Sequence, residues 1–237
     1  MQEKTVITAT IREQLYEILK QRITDGYYRS GAKLSDQEIG EEFHVSRSPV
    51  REALRLLQAD GLLVGEANRT LTVRSFDRKD VTSLYQVEMM MQDSGVRFLS
   101  GKLTPAQKQQ LAGLKKEMQE CCEAKDFERY FACAEQFHSM VISFCDNAIM
   151  DEMYRKIGAM NHRFRRISLH NRIRCKESCA EHCAIIDALL ADDTEKAAGI
   201  MKDHLQKCCS VVIGTFTKEP ELEGSCPVGV DEEDARD

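Results

Sequence analysis

Val45-Ser46-Arg47-Ser48-Pro49-Val50-Arg51-Glu52-Ala53-Leu54 is the stretch on which the reading of this chain turns. Ser46 is placed to cap a helix, and Pro49 is tolerated in the first turn, where amides have no partner inside the helix. Beyond it Val50, Ala53, Leu54 and Leu57 fall on one face, and Asp60-Gly61 ends the run. Arg47 and Arg51 are four residues apart, so both leave one side of the N-terminal turn, and Arg55 follows a turn later. A helix N-terminus attracts phosphate, and an arginine there forks onto guanine O6 and N7 or grips the backbone. Spacing alone fits a solvated face of Arg–Glu pairs as well.

The flanking residues narrow the choice. Upstream, Ile11, Leu15, Ile18, Leu19 and Ile23 recur at helical spacing, and Asp25-Gly26 closes that segment. Ser35 with Glu38 three residues on has the form of a capping box and starts a second helix reaching about Phe43. Only His44-Val45 separates it from the third, a link short enough to set the two at a steep angle. Downstream, Leu62 to Gly65 and Thr70 to Arg74 read as strands joined by the polar turn Glu66-Ala67-Asn68-Arg69. Three helices and then a hairpin is the order of a winged helix-turn-helix, whose third helix enters a major groove. Arg69 would be the wing arginine, reaching a minor groove or phosphate.

From Asp80 onward strand signals are absent. Helices are predicted at 78–100, 104–124, 126–145, 148–169, 172–191 and 194–216, with Thr104-Pro105 opening the second of them. The fold class is therefore mainly α: a winged helix-turn-helix over 8–75, then an all-helical antiparallel bundle of about six helices over 78–217. Residues 218–237, rich in Glu, Asp, Gly and Pro, read as a disordered acidic tail.

The net charge of −6 looks wrong for a DNA binder until it is divided. Residues 1–79 hold 13 Lys and Arg against 12 Asp and Glu, whereas 218–237 hold 2 against 8. The acidity belongs to the tail, and phosphate contact depends on where the arginines stand. There is no apolar run of eighteen residues and no apolar N-terminal stretch of signal-peptide type, so a cytoplasmic location without a membrane span is expected. None of the ten cysteines forms a C-x-x-C pair, and buried packing is the simplest role for them.

Residues 8–75 resemble the DNA-binding domain of the GntR family. The likeness rests on Leu34-Ser35-Asp36-Gln37-Glu38-Ile39, on the ten-residue core above, and on Leu56-Leu57-Gln58-Ala59-Asp60-Gly61-Leu62. It implies DNA contacts from Arg47, Arg51, Gln37 and the wing tip Asn68-Arg69; Ser46, Ser48 and Arg55, at the start of the third helix or a turn along it, are expected to contact DNA with them. The glycine usual after the wing arginine is Thr70 here. The remainder is similar to the FCD-type ligand-binding domain of the FadR subfamily, through Phe137-His138, Asp146-Asn147, Glu181 to Leu189 and His204-Leu205.

His138, His182 and His204 each lie on the apolar side of a helix. Three histidines facing one bundle interior suit a divalent ion such as zinc or nickel, though a lone buried histidine is more often a core residue. The resemblance implies a metal at these positions together with an aspartate four residues before the first histidine. That position is Ala134, and the neighbouring Glu135 is about 100° round the helix from it. The resemblance also implies an organic or sugar acid as effector, gripped by an arginine after a Tyr-x-Val pattern. Here Tyr85-Gln86-Val87 is followed by Glu88, a carboxylate that repels an anion unless paired, and Arg163, Arg165 or Arg166 would have to supply the positive charge. Glu88, Glu135 and Arg163 are the expected effector-pocket residues.

The expected function is a one-component transcription repressor. As a homodimer it reads palindromic double-stranded operator DNA, and a small effector controls its affinity. The competing reading is a metal- or thiol-redox-responsive regulator, built on Cys175, Cys179, Cys183, Cys208 and Cys145 with the histidines. Catalysis is not expected, because there is no H-E-x-x-H, nucleophile elbow or phosphate loop.

Overall fold

The computed structural model describes residues 9–65, 70–169 and 172–216, which divide into two compact units meeting at Phe76 and Asp77. The first holds α1 (Ile11–Thr24), β1 (Lys33–Leu34), α2 (Asp36–Glu42), α3 (Arg47–Ala59), β2 (Leu63–Val64) and β3 (Leu71–Val73). Its core is the set that helical spacing selects: Leu15, Leu19 and Ile23 of α1 pack with Ile39 of α2 and with Val50, Ala53, Leu54 and Leu57 of α3. Tyr16 of α1 donates to the Asp60 carboxylate at 2.5 Å, tying the first helix to the C-cap of the third.

The hairpin expected from sequence is a three-stranded antiparallel sheet of order β1-β3-β2. The extra strand, β1, pairs Lys33 with Thr72 and Leu34 with Leu71. Two residues are too few to display the alternation by which a strand is read. The wing turn, with Asn68 and Arg69, and the whole of 218–237 lie outside the described residues.

The sharp turn between α2 and α3 has a specific chemistry. His44 adopts a left-handed φ of 54°, and the Val45 amide returns to the Gly40 carbonyl at 3.0 Å. A Cβ on Gly40 would stand 3.0 Å from the Val45 backbone oxygen, so only glycine fits that closely. Ser35 caps α2 by accepting from the Glu38 amide at 3.3 Å, but the return bond of a full capping box is not made.

The second unit consists of α4 (Arg78–Phe98), α5 (Pro105–Ala124), α6 (Phe127–Ser143), α7 (Ala148–Leu169), α8 (Arg172–Leu190) and α9 (Thr194–Thr215). Their starts follow from capping chemistry. Asp77 and Thr104 form reciprocal boxes with Asp80 and Gln107, and Asp126 and Asp193 accept from amides of the first turn. The packing order α4-α9-α8-α5-α6-α7 closes on itself, because α7 also packs on α4. Val96, Leu111, Met118, Phe137, Val141, Ile185, Ile186, Met201 and Leu205 fill much of the interior. The rest of that interior is polar.

Candidate DNA-reading face and candidate ligand centre

On α3 the apolar stripe points into the core and leaves Arg47, Ser48, Arg51 and Arg55 exposed, with exposed Ser46 just ahead of them. Ser46 has the extended backbone of an N-cap but makes no capping bond with its side chain. Gln37 is exposed on α2 and donates to Glu41 at 3.0 Å. These six described positions are thus on the two helices of the helix-turn-helix, five of them on α3 or at its start.

Sequence spacing gave no hint of what holds the arginines. Asp36, the first residue of α2, pairs with both: Arg47 Nη2 lies 2.6 Å from Asp36 Oδ1, and Arg51 Nε bonds Oδ2. The Arg47 hydrogen bond, with help from Arg51, holds the Asp36 carboxyl below its usual range. Both guanidinium groups remain more than half exposed. One carboxylate therefore fixes two arginines side by side at the start of the reading helix without burying them.

In the helical unit His138 of α6, His182 of α8 and His204 of α9 converge. One ring nitrogen of each lies within 4.8 Å of the other two, and all three residues are buried. His182 Nε2 stands 3.2 Å from His138 Nε2. Tyr130 donates to Ser178 Oγ at 2.8 Å, so its oxygen is free to accept from His182 Nδ1 at 2.9 Å, which leaves the other ring nitrogen bare. Glu181 accepts from His204 Nδ1 at 2.7 Å. Anchoring the outer nitrogen of an imidazole so that the inner one is presented is how proteins orient histidines toward a cation. Burial, then the neighbouring histidines, keeps His138 well below the usual imidazole range. Burial and the nearby His204 do the same for His182. Both are neutral, which is the ligating form.

His204 differs. Burial would lower it, but Cys208 and Glu181 outweigh that and hold it at about 9. Burial opposes ionisation of Cys208 too, yet the His204 beside it brings the thiol to about 7. Glu181, although half-buried, is held well below the carboxylate range by His204, Arg174 and Lys207. The donor set fits a divalent ion, with His138 and His182 already neutral and His204 becoming a ligand on giving up its second proton. Ala134 is buried and offers no fourth ligand.

Beside the histidines runs a second set of buried polar groups. Glu88 is fully buried; it accepts from Tyr154 at 3.1 Å and from Asn161 at 2.5 Å, and Arg165 Nη2 lies 3.4 Å away. Arg165 also bonds Glu135 at 2.5 Å. Burial disfavours its charge, but Glu135 and Glu88 keep it firmly protonated. The cation among these carboxylates is therefore Arg165 and not Arg163, which is half-buried with its guanidinium 5.5 Å from the Phe164 ring. Residues two positions apart on a helix stand about 200° round from each other, which is why Arg163 and Arg165 diverge. Gln92 donates to the His138 carbonyl at 2.9 Å and so joins the two sets.

Sequence reading missed Tyr85, Gln92, Tyr154 and Asn161. A signal was present, since Tyr85, Glu88 and Gln92 recur at helical spacing on the inner face of α4. Nine cysteines among the described residues are free, and most are buried. Burial pushes Cys133 up to about 12 and Cys175 up to about 11, the state of packing thiols. Cys208 is lowered instead, against its burial, by His204, and Cys183 by Cys179, but both are buried, and the metal- or thiol-responsive reading is not favoured.

A helix-turn-helix with exposed, pre-set arginines, in one chain with a helical unit whose interior is polar, defines a one-component transcription regulator. The chain belongs to the GntR family: residues 11–73 match the bacterial regulatory proteins of the gntR family, and residues 83–207 match the FCD domain. It is 25% identical over 201 residues to the HTH-type transcriptional regulator YdhC of Bacillus subtilis, covering 83% of this chain and 88% of that protein. With the HTH-type transcriptional repressor RspR of Escherichia coli it shares 24% over 200 residues, covering 84% and 88%. A crystal structure of a GntR transcriptional regulator from Rhodococcus sp. RHA1 superposes with a TM-score of 0.71 at 26% identity, covering 86% of this chain and 98% of the other. Membership makes the protein a DNA-binding regulator and not an enzyme. Among the described residues, no helix is long and apolar enough to cross a membrane.

Proposed function

We propose that this chain is a cytoplasmic, homodimeric repressor. Residues 8–75 read a palindromic operator, and residues 78–217 dimerise and bind a small effector with a zinc or nickel ion held by His138, His182 and His204. Gln37, Ser46, Arg47, Ser48, Arg51 and Arg55, together with Asn68 and Arg69 of the wing turn, make the DNA contacts. The observation that carries the sensor reading is the convergence of three imidazole nitrogens within 4.8 Å, two with their outer nitrogen already anchored. When bound, the ion would supply a Lewis-acidic centre that orients an oxygen ligand.

Dimerisation has support in exposed apolar side chains on two helices that pack together: Met90 on α4, with Ile149 and Met153 on α7. A two-fold axis matches two reading helices to two half-sites, and an effector acts by favouring one dimer geometry over another.

The test is elemental mass spectrometry on the purified protein and on His138→Ala, His182→Ala and His204→Ala, with operator binding measured on the same samples. One zinc or nickel ion per chain, lost in each variant, is expected. Full metal content in all three variants would refute the assignment, and the absence of any sequence-selective DNA binding would refute the regulator.

A further inference from the structure

The polar interior beside the histidines contains more hydrogen-bonding groups than it has partners for. Gln92 Oε1 and Asn161 Oδ1 are buried acceptors without a donor, Arg165 Nε is a buried donor without an acceptor, and Tyr85 OH, which can serve in either role, has no partner. All four side chains are at least nine-tenths buried, and Gln92, Asn161 and Tyr85 are fully so. They belong to one cluster: Asn161 and Arg165 both contact Glu88, Gln92 lies one turn on from Glu88, and Tyr85 lies one turn before it. A folded interior rarely keeps several polar atoms unsatisfied, and where it does, water, an ion or a ligand supplies the missing partners.

The charges say what kind of occupant. One guanidinium, Arg165, stands between two carboxylates, Glu88 and Glu135. A carboxylate ligand would bring a third negative charge to a cation that is already shared, and it could only accept hydrogen bonds. An ammonium group could only donate, leaving Arg165 Nε unmatched. A hydroxyl both donates and accepts. Several on one carbon chain supply donors for the two amide oxygens and acceptors for the phenol and the guanidinium.

We infer that the effector is an uncharged polyhydroxy compound, an aldose or alditol, that binds Tyr85, Glu88, Gln92, Asn161 and Arg165 when α4 and α7 part to admit it, since these side chains are packed with almost no exposed surface. This rests on the reading of the helical unit as the effector-binding one. It departs from the organic or sugar acid that the family resemblance implies, and Glu88 is the residue responsible.

The experiment uses the full chain, with neutral aldoses and alditols, the matching aldonates and alkyl diamines each at millimolar concentration. Thermal melting and calorimetry report binding, and operator affinity is followed separately. A neutral polyol is expected to raise the melting temperature by several degrees. Gln92→Met and Asn161→Leu, which keep shape but remove the acceptors, should each weaken it at least tenfold. Glu88→Gln, which frees Arg165 from one carboxylate, should gain response to the aldonate. The inference falls if only an aldonate or a diamine binds the native chain, if nothing in the panel binds it, or if both acceptor variants bind the polyol as tightly as the native chain does. Polyol binding without any selective DNA binding would uphold the pocket while removing the regulator.

Discussion

Replacing Arg51 with alanine tests the reading face most directly. The guanidinium is 55% exposed and its partner is Asp36, so the substitution leaves the core of α3, Val50, Ala53, Leu54 and Leu57, in place. A forked contact to a base edge contributes about 1–3 kcal/mol. The native arginine must first loosen its exposed pairing with Asp36, a bond worth about 0–1 kcal/mol. The variant has no such bond to loosen, so the net loss is about 1–2 kcal/mol, or roughly 5- to 30-fold in affinity. Fluorescence anisotropy on a labelled duplex, selected from a random pool by the native protein, measures it across a salt series. If Arg51 grips a phosphate, the slope of log affinity against log salt falls by about 1; if it reads a base, affinity drops with the slope preserved. Affinity within twofold of native, in a variant with native circular dichroism, would mean that α3 is not the reading helix.

Asp36→Asn releases both arginines from their common carboxylate. Binding to random-sequence DNA should rise and the ratio of operator to random affinity should fall several-fold, as competition titrations would register. Glu181→Gln weakens the anchor on His204 and should reduce metal affinity by about 10- to 100-fold, read by competition against a chromogenic chelator. Leu57→Ala removes a fully buried side chain at the centre of the first unit and should cost about 2–5 kcal/mol, visible in denaturant unfolding of the full chain.

What the sequence disclosed divides along physical lines. The start at Thr104 with Pro105 was readable because it is a local signal whose bonding partner lies within one turn, and the structure adds Asp77, Asp126 and Asp193 as caps of the same local kind. The core of α3 was readable because its face repeats at helical spacing. The link between Asp36 and the two arginines, 11 and 15 residues away, depends on the angle of a turn set by His44 and Gly40, which no periodicity encodes. Arg165 was not separable from Arg163 for a similar reason, since both sit in a run of charges and only packing decides which one turns inward. Strand β1 escaped notice because two residues carry no pattern. The histidines were visible as a group, yet Glu181 and Tyr130, which orient two of them, come into view only when α6, α8 and α9 are brought together.

Gln92 links two places in the helical unit with a single amide. Its nitrogen holds the main-chain oxygen of His138, and its own oxygen lies in the cluster around Glu88. A planar amide cannot turn one end without turning the other, so whatever takes its oxygen also fixes the backbone carrying that imidazole. Thermodynamic reciprocity then applies in both directions: the factor by which one guest tightens the second is the factor by which the second tightens the first. If the three histidines hold an ion, withdrawing it should therefore appear as a change in apparent sensitivity to the effector, with no alteration to any atom the effector touches.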